Sequence, residues 1–206
     1  DWFNENKGLY LKNKEELELF ADDLLQELKE HDDIETVSGK KALYRVYRDV
    51  RFSKDKTPYK TVWSGSFKRA TKYLRGGYYF HLEPGNSFLG GGFWGPSSAD
   101  LKLIRSSISE FGDELLNIIN SKQFVSNFGE LGGDKLKTAP KGIAKDHEYI
   151  DLLRHKQFLL GKKFTDAQVM SKDFIKELNG GFEAMRPFFD FMSEALTTDS
   201  NGESIV

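Results

Sequence analysis

The stretch Gly76 to Pro96, GGYYFHLEPGNSFLGGGFWGP, constrains this chain more than any other. Tyr78, Phe80 and Leu82 alternate with Tyr79, His81 and Glu83, the period of a strand with one buried and one open face. Pro84-Gly85 then interrupts the run with a pair suited to a tight turn. With those two residues as the loop, Glu83 stands opposite Asn86, His81 opposite Phe88 and Tyr79 opposite Gly90. Directly opposed residues share a face. Tyr79, His81 and Glu83 are therefore expected on one surface with Phe88, Gly90, Gly92 and Trp94, where the glycines leave room beside polar groups. A slip of one residue reverses every assignment, and Pro-Gly favours a type II turn that matches hairpin twist poorly.

The rest of the chain supplies partners for that hairpin. KALYRVYRD, TVWSGSFKR and FLLGKKF alternate as further strands, the last as an edge. Asn13 and Glu16 form a capping-box pattern ahead of Leu17, Phe20, Leu24 and Leu28 at helical spacing. Ser97 or Ser98 can cap a helix bearing Leu101, Ile104, Ile108 and Phe111, and a second helical segment follows around Leu115 to Phe124. Asp146 reads as the N-cap of a short helix, DHEYIDLLRHK. A closing segment, Ser171 to Leu196, carries Phe174, Leu178, Phe182, Met185, Phe189 and Met192 on one stripe. Gly180-Gly181 and Pro187 predict two helices or one bent helix there. The expected fold is α+β, a single domain over 1–196. Its mostly antiparallel sheet is a meander of about five to six strands packed against helices, with 197–206 as a flexible tail.

Composition narrows function chiefly by exclusion. The chain has no cysteine, so disulfides, thiolate metal sites and a cysteine nucleophile are excluded. No apolar run approaches the ~20 residues of a membrane span, and a cytoplasmic setting is the expectation. The net charge of −2 conceals an asymmetry. Residues 40–75 hold twelve Lys and Arg against two Asp, leaving eighteen basic and thirty acidic residues elsewhere. A basic segment of this kind suits anionic partners or acidic neighbours within the fold.

His81 and Glu83, two apart on a strand, point the same way and suit general acid and base roles. Two ligands are too few for zinc, and Asp146 and His147 would have to supply the rest, so no metal is expected; the cofactor is left open. Arg45, Arg48, Arg51, Lys56 and Lys60 offer planar forks and point charges for an anion, with Asp49 and Asp55 available to hold them. Tyr79 and Trp94 would form an apolar wall, and Asp146, His147 and Arg154 a second polar group. GGGFWGPSS lacks a P-loop ending, WSGSF is not a nucleophile elbow, and no dinucleotide fingerprint follows a strand.

Several motifs together carry a resemblance. YRVYRDVRFSKDKTPYKT, YYFHLEPGNSFLGGGFWGP, IRSSI, PKGIAKDH, DLLRHKQF and RPFFDF resemble the family of bacterial and fungal proteins designated domain of unknown function 2461. The resemblance spans nearly the whole chain. It implies one domain in an intracellular setting, with a further segment ahead of DWFNENK in members of this kind, and it supplies no catalytic residue.

Three functional expectations follow. The first is a site for an anionic, phosphorylated small molecule between the basic loop and the Gly-rich hairpin. The second is a nucleic-acid module in which Tyr44, Tyr47, Phe52, Tyr59 and Trp63 stack bases among the cations. The third is a protein-interaction scaffold without a catalytic site.

Overall fold

The computed structural model describes residues 2–199 and 201–206. Helices α1 (Trp2–Glu5), α2 (Lys7–Lys29) and α3 (Gly39–Ala42) precede three strands, β1 (Trp63–Lys68), β2 (Gly77–Leu82) and β3 (Ser87–Phe93). Helices α4 (Ser98–Ile119), α5 (Lys122–Phe128) and α6 (Ile150–Leu153) lead to strand β4 (Phe158–Phe164). Helices α7 (Asp166–Val169) and α8 (Phe174–Thr197) follow. The fold is α+β, with one antiparallel sheet in the order β1-β2-β3-β4.

Four strands form among the described residues where five to six were expected. The difference lies in KALYRVYRD. Ser38 caps a helical turn at Gly39–Ala42 by accepting the Lys41 N–H, so the segment starts as helix. Beyond it only isolated bridges occur, Leu43 to Gly65 and Tyr47 to Tyr59, the second made by the Arg48 and Lys60 N–H groups bonding across the basic loop to Pro58 and Val46. Alternation was present without a continuous partner strand.

Two helices also depart from expectation. Asn13 lies inside α2 instead of capping it. The preceding turns are held by rings: Phe3 stacks on Tyr59 at 4.0 Å and Tyr10 on Trp63 at 5.4 Å, so helix continues through the polar positions. Helix α8 is one element despite Pro187, which sits on its exposed side while Phe182, Met185, Phe189 and Met192 keep the buried stripe continuous across it. The Ser97 cap is present as a reciprocal box with Asp100. Asp146 lies ahead of α6, whose N-cap is Tyr149. After α8 the Asp199 carboxylate accepts the Asn201 and Glu203 N–H groups, closing a turn; Asp1 and Ser200 of the expected 1–196 domain and 197–206 tail lie outside the described residues.

The sheet buries one face. Phe67, Tyr78, Phe80 and Leu89 are sealed against α8, where Tyr78 meets Phe182 at 5.0 Å and Phe189 at 5.3 Å. Small residues set this closeness. A Cβ at Gly91 would lie 2.6 Å from Met185 Sδ and 2.9 Å from Phe189. Under the sheet end, fully buried Arg69 donates to Asp32 at 2.7 and 3.2 Å and to Asp190 at 2.5 Å. Asp32 also accepts the Tyr78 hydroxyl at 2.5 Å, so this cluster ties the end of α2, β2 and α8 together. Because Tyr78 is anchored inward, the next residue, Tyr79, must point to the other face.

Candidate functional site

The outer face of the sheet holds the site. The turn is closed by the Asn86 N–H donating to the Glu83 carbonyl, with Gly85 at φ +74°, the geometry of a type II turn. Pairing then follows as expected, Tyr79 with Gly90 and His81 with Phe88. Extending the register gives two rows across the sheet: Ser66, Tyr79, Gly90, Gly161 and Ser64, His81, Phe88, Lys163.

The first row is the floor of a concavity of about 710 Å³, within the range of small-molecule sites. Gly77, Gly90, Gly92 and Gly161 line it, with Tyr44, Tyr79, Phe88 and Trp94 as aromatic walls. Its glycines are not equivalent. A Cβ at Gly90 would find only ordinary contacts, 3.6 Å from Tyr79 and 3.7 Å from the Leu160 carbonyl, and one at Gly161 only the Leu89 carbonyl at 3.6 Å. At Gly92 the backbone has φ +117° and a Cβ would overlap the Phe158 carbonyl, so that glycine serves the strand itself. Room above Gly90 and Gly161 is therefore open to a ligand.

A polar chain runs along β2 into this space. The Tyr79 hydroxyl lies 3.0 Å from His81 Nδ1, and His81 Nε2 lies 3.1 Å from Glu83 Oε2. Asn86 donates to the same carboxylate at 2.7 Å. The Asn86 amide, then His81, holds the Glu83 carboxyl below its usual range, so it stays an acceptor. An acceptor at Nε2 requires the proton there, which leaves Nδ1 to accept from Tyr79. Burial pushes the Tyr79 phenol up, keeping it a donor. His81 stacks on Phe88 at 4.7 Å and its side chain is only 14% exposed. Beside Tyr79, the Tyr44 hydroxyl donates to Ser66 at 3.0 Å, placing two phenols on the same groove.

The basic loop is arranged differently from its expected role. Arg48 pairs with Asp55 and reaches the Thr57 carbonyl at 3.3 Å. Arg51 forks onto Asp49 at 2.9 and 2.6 Å, and Lys56 donates to the Val50 carbonyl at 2.9 Å. These cations organise their own loop. Arg45 is exposed near Asp49, whose carboxyl is lowered first by Arg51 and least by Arg45. Lys60 alone of the group approaches the groove, lying 5.4 Å over the Tyr44 ring. Lys68 lines the groove and pairs with Glu35 at 2.8 Å.

The structure thus brings together Tyr79, His81, Glu83 and Trp94, with Lys60 at the margin. It does not bring Asp146, His147 or Arg154 to them. Asp146 is exposed in a turn, His147 Nδ1 accepts the Tyr149 N–H at 3.1 Å, and Arg154 Nε donates to the Leu136 carbonyl at 2.7 Å. Among the described residues no group of three or more His, Asp or Glu converges as a metal ligand set. Gly161, Ser66 and Leu159 line the groove without having been singled out in the sequence. Gly161 interrupts FLLGKKF, a sign of close approach or open space, but its partner across the sheet was not readable.

No helix among the described residues is long and apolar enough to cross a membrane. No curated protein and no solved structure matches the chain. The family described as conserved hypothetical protein (DUF2461) matches residues 1–191, a span that holds the hairpin, the basic loop and most of the closing helix, and the chain belongs to that family.

Proposed function

We propose that the outer sheet face binds a flat, largely apolar small molecule carrying an acidic or hydroxyl group, with Tyr79 meeting its polar edge. The observation that carries this reading is the Gly90–Gly161 pair, two opposed glycines whose missing side chains are replaced by no other part of the protein. Aromatic walls on either side favour a planar skeleton. Lys60 at the margin favours a negative substituent, which retains the anionic ligand expected from the sequence in a narrower form. The phosphorylated ligand and the nucleic-acid module draw less support, because Arg48, Arg51 and Lys56 already have partners within their loop.

The test is a fluorescence titration with 8-anilinonaphthalene-1-sulfonate, an aromatic anion with a flat naphthalene ring. Wild type should show saturable enhancement. Gly90→Leu should weaken the affinity by at least about tenfold, a loss of roughly 1.4 kcal/mol. Gly180→Leu, on a helix surface with open space around it, should bind as wild type does. Equal affinity in Gly90→Leu and wild type would overturn the proposal.

A further inference from the structure

The chain from Tyr79 to Glu83 has a direction, and the direction assigns a chemistry. Three polar side chains on alternate residues, two in β2 and Glu83 just past its end, are part-buried and aligned end to end. Glu83 and Asn86 form the outer end, His81 is held flat on Phe88, and Tyr79 alone faces the groove. With its own proton directed at His81 Nδ1, the Tyr79 oxygen takes a hydrogen bond from the Ser64 hydroxyl and presents its remaining lone pair to whatever lies over Gly90. It is an acceptor toward the ligand.

Resting on the binding site proposed above, we propose that Tyr79 is a catalytic residue that removes a proton from a planar ligand bearing a weakly acidic hydroxyl or ring N–H, with His81 and Glu83 as positioning residues. In that step the ligand O–H or N–H bond breaks and its proton bonds to Tyr79 Oη. The proton of Tyr79 passes to His81 Nδ1, and the electron pair stays on the ligand. The imidazolium so formed lies beside the Glu83 carboxylate, and the step needs no co-reactant. Groups facing this chain from neighbouring elements are Tyr44, whose ring lies 6.2 Å from that of Tyr79, Ser66 bonded to it, Lys60 above it, and Ser64 and Lys163 in the His81 row.

The probe is phenylmethanesulfonyl fluoride, whose ring suits the groove. Tyr79 Oη attacks sulfur, fluoride leaves, and the phenolic proton goes to His81. Peptide mass spectrometry should find Tyr79 labelled at least about tenfold faster than the exposed Tyr47 and Tyr73, a barrier difference of roughly 1.4 kcal/mol. His81→Phe keeps the ring stack and Glu83→Gln keeps the shape, and each should slow Tyr79 labelling by about tenfold or more, within the usual scale of proton-transfer effects. Nitrogen-15 spectra of wild type should place the His81 proton on Nε2, and Glu83→Gln should shift that balance toward Nδ1. Tyr79 labelling no faster than Tyr47, or a proton found on Nδ1 in wild type, would overturn the assignment. Anilinonaphthalene sulfonate binding on the same preparations separates the two claims. If wild type binds that dye while Tyr79 labels slowly, the relay alone fails; if it binds none, the site itself fails.

Discussion

Three consecutive glycines in β3 offer a comparison in which local propensity is nearly constant and surroundings differ. Gly90→Ala places a methyl group in the groove with nothing closer than 3.6 Å. Its effect should be that of removing a strand glycine, a gain of about 0.5–1 kcal/mol from the lower entropy of the unfolded chain. Gly91→Ala drives the same methyl group to 2.6 Å from Met185 Sδ and 3.1 Å from the Gly77 carbonyl. Overpacking of this kind costs about 1–3 kcal/mol, so the net change should be a loss of roughly 1–2 kcal/mol. Gly92→Ala adds backbone strain at φ +117° to overlap with a carbonyl that has no freedom to yield, and should be the worst of the three. Urea unfolding measures all three, with midpoints that shift at constant slope. In thermal terms Gly90→Ala should raise the midpoint by about 1–4 °C and Gly91→Ala lower it by a similar or larger amount. A loss of more than about 1 kcal/mol in Gly90→Ala, or no loss in Gly91→Ala, would refute the distinction between open floor and packed strand.

Two further predictions concern the support of that floor. Asp32→Ala leaves fully buried Arg69 with Asp190 as its remaining carboxylate and strands the Tyr78 hydroxyl, so urea unfolding should show a loss of about 3–5 kcal/mol. His155 is buried with its ring stacked at 5.3 Å on Phe158, the first residue of β4; that burial pushes its imidazole below the ordinary value of 6.5, so around that pH the unfolded chain takes up a proton the folded chain refuses. Stability should therefore be fully present above pH 6.5 and decline as pH falls through it toward the lowered folded value, and His155→Gln should flatten this slope in unfolding curves measured across the range.

The hairpin was legible because two local signals agreed. Pro84-Gly85 located the turn and the alternation of Tyr78 to Glu83 assigned the faces, so the Tyr79–Gly90 opposition followed before any tertiary contact was known. The stripe of α8 was equally local. What could not be read were partners far apart in sequence. Gly161 completes the floor only because β4 returns beside β3 after the α4 to α6 excursion, and no nearby residue announces that register. KALYRVYRD shows the opposite failure: its alternation was real, but its start is taken by a capped helical turn and its end pairs across the loop at the single bridge Tyr47–Tyr59. Asn13 carried a cap signal that ring stacking further up the chain overrode. The partners within the basic loop were harder to read for an electrostatic reason. The twelve cations of residues 40–75 dominated the count, yet Asp49 and Asp55 sat where each could engage an arginine, and side-chain reach decided the pairing.

The central claim is that a ligand lies on the Gly90–Gly161 floor against Tyr79. Amide and side-chain shift mapping by NMR during titration with 8-anilinonaphthalene-1-sulfonate tests it most directly. The largest shifts are expected at Gly90, Gly161, Tyr79 and the Trp94 indole, with Phe52 and Lys54 unmoved although Phe52 is the more exposed aromatic. Shifts concentrated in residues 45–60, or around Trp2 and Trp63, with the four groove residues unchanged, would contradict it.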